Sequence, residues 1–283
     1  MRARTSALTG AALSLALLLA SCQSSQDEDA AESAPTGSAS SAPSSAPSPA
    51  PSPTAARKDP LMDLDQDELD RRLIAAAWKN DVRAARRLIA AGADVNALDD
   101  TVQSAHQIAA SEGRRSLLDL TLRHGADLDV LDSFDGTGVI RAAERGHAWI
   151  VGRLVQAGAD PDHVNNLGWV GLHEALVFAK PERRRAYLAT VRVLVAAGAD
   201  VSIASRRDGL TPVQLAERHG LEPQARLLRA AERAAVTNRE TANRRLLAAA
   251  RDGDPDGAAL ALRAGADLEV RNDVLGFLFG YRG

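Results

Sequence analysis

One phrase, Gly-Ala-Asp, returns along this chain at intervals that leave few folds open. It stands at Gly92-Ala93-Asp94, Gly125-Ala126-Asp127, Gly158-Ala159-Asp160, Gly198-Ala199-Asp200 and Gly265-Ala266-Asp267. The glycines are 33, 33, 40 and 67 residues apart. Forty is one period with an insertion of seven. Sixty-seven is two periods enclosing a degenerate copy, with Ala231-Glu232-Arg233 where the phrase belongs. A fixed period of this length means small units that cannot bury their apolar faces alone and must stack on their neighbours.

A second phrase keeps the same register twelve residues upstream: Ala76-Ala77-Trp78-Lys79-Asn80, Ala109-Ala110-Ser111-Glu112-Gly113, Ala142-Ala143-Glu144-Arg145-Gly146, Ala216-Glu217-Arg218-His219-Gly220 and Ala249-Ala250-Arg251-Asp252-Gly253. Apolar runs such as Leu88-Ile89, Leu154-Val155 and Leu194-Val195 end three residues before the Gly of Gly-Ala-Asp, the place of a helix-stopping residue. Two short helices per period follow. Aromatics make up only 3% of the chain while hydrophobic residues make up 45%, so the core is built from small aliphatics, which suits close-packed helices better than sheets. Thr211 and Pro212 open one first helix with a cap and an N1 proline. The expectation is an all-α solenoid.

Gly209-Leu210-Thr211-Pro212-Val213-Gln214-Leu215-Ala216 and Gly168-Trp169-Val170-Gly171-Leu172-His173-Glu174-Ala175, taken with Gly-Ala-Asp, resemble the ankyrin repeat, whose consensus runs Gly-x-Thr-Pro-Leu-His-x-Ala-Ala to Gly-Ala-Asp-Val-Asn. The resemblance spans 61–272 as six repeats, near 61–98, 99–131, 132–164, 165–205, 206–238 and 239–271. The fifth departs most, having lost its Gly-Ala-Asp, and is the expected weak point of the array. The resemblance gives His173 a structural role, hydrogen-bonding between neighbouring hairpins. It also implies a concave partner-binding face lined by hairpin tips and first-helix ends. Positions there are Trp78, Lys79, Asp100 within 99–103, Phe134, Glu144, Arg145, Leu167, Trp169, Phe178, Arg206, Arg207 and His219. Large aromatics beside arginine are the composition of binding hot spots, although Phe134 and Phe178 have the alternative of filling gaps between repeats. The seven-residue insertion, within 180–187, sits between the helices of the fourth repeat. Its Arg183, Arg184, Arg185 and Tyr187 suit an acidic partner or, alternatively, form a solvated charged turn.

The N-terminus reads separately. Arg2 and Arg4 precede an apolar stretch from Ala7 to Ala20, too short to span a bilayer comfortably and shaped as a secretion signal over 1–21. Leu19-Ala20-Ser21-Cys22 resembles the lipobox of bacterial lipoproteins, which implies cleavage before Cys22 and acylation of it, palmitate included. An ordinary signal peptide with a chance cysteine is the alternative. Cys22 is the only cysteine, so disulfides are excluded. Residues 22–60 are rich in Ser, Ala and Pro and read as a disordered tether. Residues 273–283, with Phe277, Phe279 and Tyr281, read as an incomplete repeat or a tail.

Chemistry finds no foothold. His173-Glu174 opens like a zinc-protease motif, but the second histidine position is Val177. Gly136-Thr137-Gly138 begins like a dinucleotide loop, but Arg141 replaces the third glycine. The other histidines lie at unrelated offsets, so no metal, cofactor or catalytic residue is expected. A net charge of −3 gives no footprint for nucleic acid. The expected function is therefore a lipid-anchored module on the extracytoplasmic face of the membrane that binds or assists an exported envelope protein. The alternative is an inhibitor or immunity protein occluding a toxin or hydrolase.

Overall fold

The computed structural model describes residues 60–234 and 236–270. The expected signal segment, Cys22, nearly all of the tether and the 273–283 tail lie outside them. The described residues hold twelve α-helices in six antiparallel pairs and no strand. The pairs are α1 Gln66–Trp78 with α2 Val82–Ala90, α3 Ala105–Ser111 with α4 Arg115–Arg123, and α5 Gly138–Glu144 with α6 Ala148–Gln156. They continue as α7 Gly171–Val177 with α8 Arg184–Ala196, α9 Pro212–Arg218 with α10 Glu222–Arg233, and α11 Arg239–Asp252 with α12 Pro255–Arg263. The all-α solenoid expected from the period is present.

Side-chain caps open several of the first helices. Asp65 caps α1 by accepting from the Glu68 N–H, and Ser104 and Gln107 cap α3 reciprocally. Thr211 and Gln214 do the same for α9, with Pro212 at N1 as the sequence indicates. At Gly92 the backbone leaves α2 with φ at 109°, a conformation that L side chains rarely adopt. Leu73, Leu118, Leu154, Leu172, Leu194 and Leu228 are fully buried between pairs, and each such leucine contributes roughly 1.5–3 kcal/mol. Small residues set the spacing between repeats. A Cβ on Gly138 would meet that of Ala110 at 3.4 Å, and one on Gly171 would meet that of Ala143 at 3.6 Å. The Ala110 and Ala143 positions therefore face forward, onto the next repeat.

Pairs one to five stack in order. The fifth ends the stack with polar side chains: the forward positions filled by Ile74, Ala77 and Ile89 in the first pair hold Gln214, Glu217 and Arg229 in the fifth. Arg229 donates to Glu217 at 2.5 Å. This is the polar outer face that terminal repeats need for solubility.

The sixth pair does not continue the stack. Its α12 lies against α8, two repeats back. Arg192 of α8 pairs with Asp256 at 2.5 Å, and Arg263 donates to the Ala199 carbonyl at 2.7 Å. Ala259 joins the main core, whereas Leu246, Ala249, Ala258 and Ala261 form a small core of their own. A cleft of about 400 Å³, lined by Ala234, Arg245 and Leu260 among others, lies between the end of α10 and this pair. The cause is in the sequence of α12. Where α2 carries exposed Arg83, Arg86 and Arg87, α12 carries Asp256, Ala259 and Leu260, an outer face able to pack sideways.

Candidate functional site

The hairpin tips between pairs share one design. Asp99 Oδ1 accepts from the Thr101 and Gln103 N–H groups, Asp132 Oδ1 from Phe134 and Gly136, and Asn165 Oδ1 from Leu167 and Trp169. Each is a local side-chain turn that rigidifies the tip. A side chain nine residues on, in the following helix, holds the anchor in two of them: Arg141 Nε lies 3.2 Å from Asp132, and Asn165 donates to Glu174 at 2.7 Å. Neighbouring tips also join directly. The Asn166 N–H donates to the Phe134 carbonyl and the Arg206 N–H to the Gly168 carbonyl. The second, third and fourth tips are thus joined, and with the first they line one edge of the stack.

Apolar side chains stand out at the first three tips of that edge, among the exposed Asp100 and Asp135, and two arginines stand at the fourth beside Asp208. Leu98, Val102, Leu131, Phe134 and Leu167 are all exposed, Phe134 most at 52%. Arg206 and Arg207 follow at the next tip. Val102 is notable for its backbone: φ is +60°, where the equivalent residues of the fourth and fifth repeats are Gly168 and Gly209. A β-branched residue in that region is strained by roughly 1–2 kcal/mol. Strain of this kind collects at functional sites.

Among the residues expected at the binding face, Trp78, Lys79, Asp100, Phe134, Leu167, Phe178, Arg206, Arg207 and His219 are exposed. Trp78 donates from its indole N–H toward Asp99 at 3.4 Å, which ties the end of α1 to the first tip. Glu144 and Arg145 are half-buried at the end of α5, where Arg145 pairs with Glu112 of the preceding repeat at 3.1 Å. Two expectations need correction. Trp169 is 9% exposed: its indole donates to Ser205 at 3.1 Å, its edge meets Phe178, and the Arg207 guanidinium lies over its ring. The residue seals the third tip to the fourth and offers little surface to a partner. Tyr187 is 1% exposed, packed beneath the Gly146 turn with its hydroxyl donating to the Glu144 carbonyl. The insertion is accordingly a bolt between repeats three and four. It adds a 3-10 turn, Pro181–Arg183, and lengthens α8 to 13 residues against 9 in α6. Arg183, Arg184 and Arg185 remain exposed on it.

Buried polar groups make structural contacts. His173 Nδ1 accepts from the Val170 N–H, which leaves Nε2–H to face the Leu210 carbonyl of the next hairpin at 3.4 Å, the bridging role expected for it. Gln107 reaches the Val130 carbonyl in the same way one pair of repeats earlier. Burial, reinforced by Glu144, pushes the Glu174 carboxyl up to about 7. Burial drives His106 down to about 4, and burial with the Arg183 charge does the same to His147. No cluster of three or more His, Cys, Asp or Glu able to hold a metal occurs among the described residues. Leu98, Val102 and Leu131 escape a reading of the sequence for aromatics and charges. The signal that finds them is their register at the tips.

Comparison with known proteins agrees with this geometry. Residues 73–165 match the family model for ankyrin repeats (3 copies). Over 145 residues the chain is 34% identical to an Escherichia coli (strain K12) protein named for ankyrin repeats, YahD, spanning 51% of this chain and 71% of that one. It is 27% identical over 204 residues to a Danio rerio protein named as a palmitoyltransferase, ZDHHC13, but spans only 30% of that protein. Among solved structures, an ankyrin repeat domain from Acinetobacter baumannii AYE has a TM-score of 0.54 at 41% identity, covering 56% of this chain and 80% of that one.

Proposed function

This chain belongs to the ankyrin-repeat family, and from that premise we propose that it is a membrane-tethered, extracytoplasmic protein-binding module whose contact surface is the edge of hairpin tips. Ankyrin repeats are protein-protein interaction modules; the location and the choice of residues are the parts of this reading that go further. Support for the surface is a single row: Val102, Phe134 and Leu167, exposed at successive tips, with Trp78 at one end and Arg206 and Arg207 at the other. Apolar side chains held out on rigid turns are disfavoured on a surface that nothing covers. The strained backbone of Val102 argues the same way. The partner that fits is a protein with an apolar strip leading into an acidic end.

Support for the tether is the lipobox-like Leu19-Ala20-Ser21-Cys22 after an apolar stretch. Envelope location follows from it, with an exported envelope protein as the partner.

The test has two arms. Full-length protein is fractionated from its own cells with and without Cys22→Ala, and intact mass is read at the N-terminus. An acylated Cys22 in the membrane fraction is expected; an unmodified or differently placed N-terminus overturns the tether. Partner capture is then compared between wild type and a Val102→Gly, Phe134→Ala, Leu167→Ala triple variant. Loss of a specific captured protein with an intact melting curve supports the face, and equal capture by both rejects it.

A further inference from the structure

The sixth helix pair is built as a first repeat. With Gly265 aligned on Gly92, the helix caps Asn238 and Asp65 coincide, as do Arg245 and Arg72, which stand where the stacked repeats have Gly138, Gly171 and Pro212. The long opening helices match too, 14 residues in α11 and 13 in α1, against 7 in α3, α5, α7 and α9. The Gly-Ala-Asp loops confirm the kinship. In the second and fourth repeats the aspartate N–H donates back to the preceding repeat, Asp127 to Asn96 and Asp200 to Asp162. In the first and sixth it donates instead to a residue of its own first helix 24 positions upstream, Asp94 to Asp70 and Asp267 to Asn243. Each of these two loops completes itself without a repeat behind it.

A first repeat has a forward face made for the next one. In the first pair that face is closed: Ala77 is 0%, Ala93 6% and Val95 5% exposed. Its counterparts in the sixth pair are Ala250, exposed, and Ala266 and Leu268, half-buried, with Leu247 and Leu262 beside them. These residues remain apolar, unlike the Gln214, Glu217 and Arg229 that close the fifth. We propose that this forward face is a docking surface occupied by residues 274–281 of the same chain, so that the sixth pair founds a second stack alongside the first. Two observations select that occupant. The chain leaves Val270 at the place from which the first repeat sends its chain onto the same face. The distance from Gly92 to the start of α3, counted from Gly265, arrives at Leu278, within Val274-Leu275-Gly276-Phe277-Leu278-Phe279-Gly280-Tyr281. An apolar segment therefore reaches an apolar face in register.

The experiment places Ala250→Cys in the full chain with Cys22→Ala, leaving one thiol, and follows its maleimide labelling with and without residues 274–283. Labelling slowed at least tenfold in the full chain, released by the deletion and independent of protein concentration, is expected. Equal rates overturn the proposal, and so does protection that grows with concentration, which puts a second copy on the face. Hydrogen exchange over 247–252, compared between the unsubstituted full chain and its 274–283 deletion, guards against a cysteine that disturbs the fold: faster exchange after deletion is expected, and identical exchange contradicts the assignment.

Discussion

The first and sixth helix pairs share one pattern of caps, helix lengths and loop contacts, yet one begins the stack and the other lies beside it. Their cores are alike: Leu73 and Leu88 in one, Leu246 and Ala261 in the other. They differ on the outside. Three arginines keep the outer face of α2 in water, while Asp256, Ala259 and Leu260 let α12 seat on α8. A repeat's own fold is therefore set by its inner positions, and its place in the assembly by a few outer ones. The stack of five carries the row of tips and most of the buried apolar surface; among the described residues, the seam that holds the sixth pair includes the Arg192–Asp256 ion pair, the Arg263 hydrogen bond to the Ala199 carbonyl and a small patch of alanine and leucine.

The contrast implies that the stack resists damage as a unit while the sixth pair comes away alone. Trp169→Ala should have the largest effect, since truncating a buried Trp typically costs about 3–5 kcal/mol. A fall of several degrees in the melting temperature of the whole stack is expected, and an unchanged melt would return Trp169 to the surface. Ala259→Arg restores the residue type of the first pair and should cost roughly 1–3 kcal/mol through overpacking at the seam. Hydrogen exchange should show α11 and α12 losing protection while α3 to α8 keep theirs. Uniform loss would mean that the six pairs form one cooperative unit.

A smaller effect concerns pH. The folded Glu174 carboxyl titrates near 7, above its ordinary 4.5, so the folded state holds the extra proton between those values. Its contribution is fully present below about 4.5 and is lost as pH rises through 7. His106 and His147, lowered to about 4 from 6.5, act oppositely: their contribution is present above 6.5 and is lost as pH falls toward 4. The readout is therefore the difference between wild type and Glu174→Gln. The variant should gain up to about 2 kcal/mol relative to wild type on going from pH 5 to pH 8. Parallel melting-temperature profiles would show that the carboxyl is not perturbed. Val102→Gly should have the smallest effect, stabilising the stack by up to about 1 kcal/mol as the left-handed strain is relieved and offset by the glycine's greater chain entropy. Destabilisation in a denaturant melt would remove strain from the case for a functional tip.

What could be read in the sequence was whatever depends on register along the chain. The 33-residue period located both helices of every pair and the glycine stops, Thr211 and Pro212 marked a cap, and the resemblance to the ankyrin repeat implied the bridging role of His173. Residues whose surroundings are set by a neighbouring element were not legible. Trp169 occupies a tip position that periodicity leaves free, and only the neighbouring Ser205 and Arg207 show that it is buried. Tyr187 sits among charges in an insertion, yet the turn at Gly146 makes room for its ring. The last Gly-Ala-Asp falls two periods after the fourth and so reads as one more turn of the same stack. Its sideways placement is written instead in Asn243, which repeats Asp70, and in the exchange of arginines for Asp256, Ala259 and Leu260.

The central claim is that the tips of the stack, and not the sixth pair, hold the partner. Calorimetric titration of the captured partner into wild type, Phe134→Ala and Ala259→Arg tests it in one experiment. The account predicts that Phe134→Ala weakens binding at least tenfold, about 1.4 kcal/mol, with an unchanged melting temperature, and that Ala259→Arg binds as wild type. Wild-type affinity for Phe134→Ala together with lost binding for Ala259→Arg would contradict it and move the binding surface to the sixth pair.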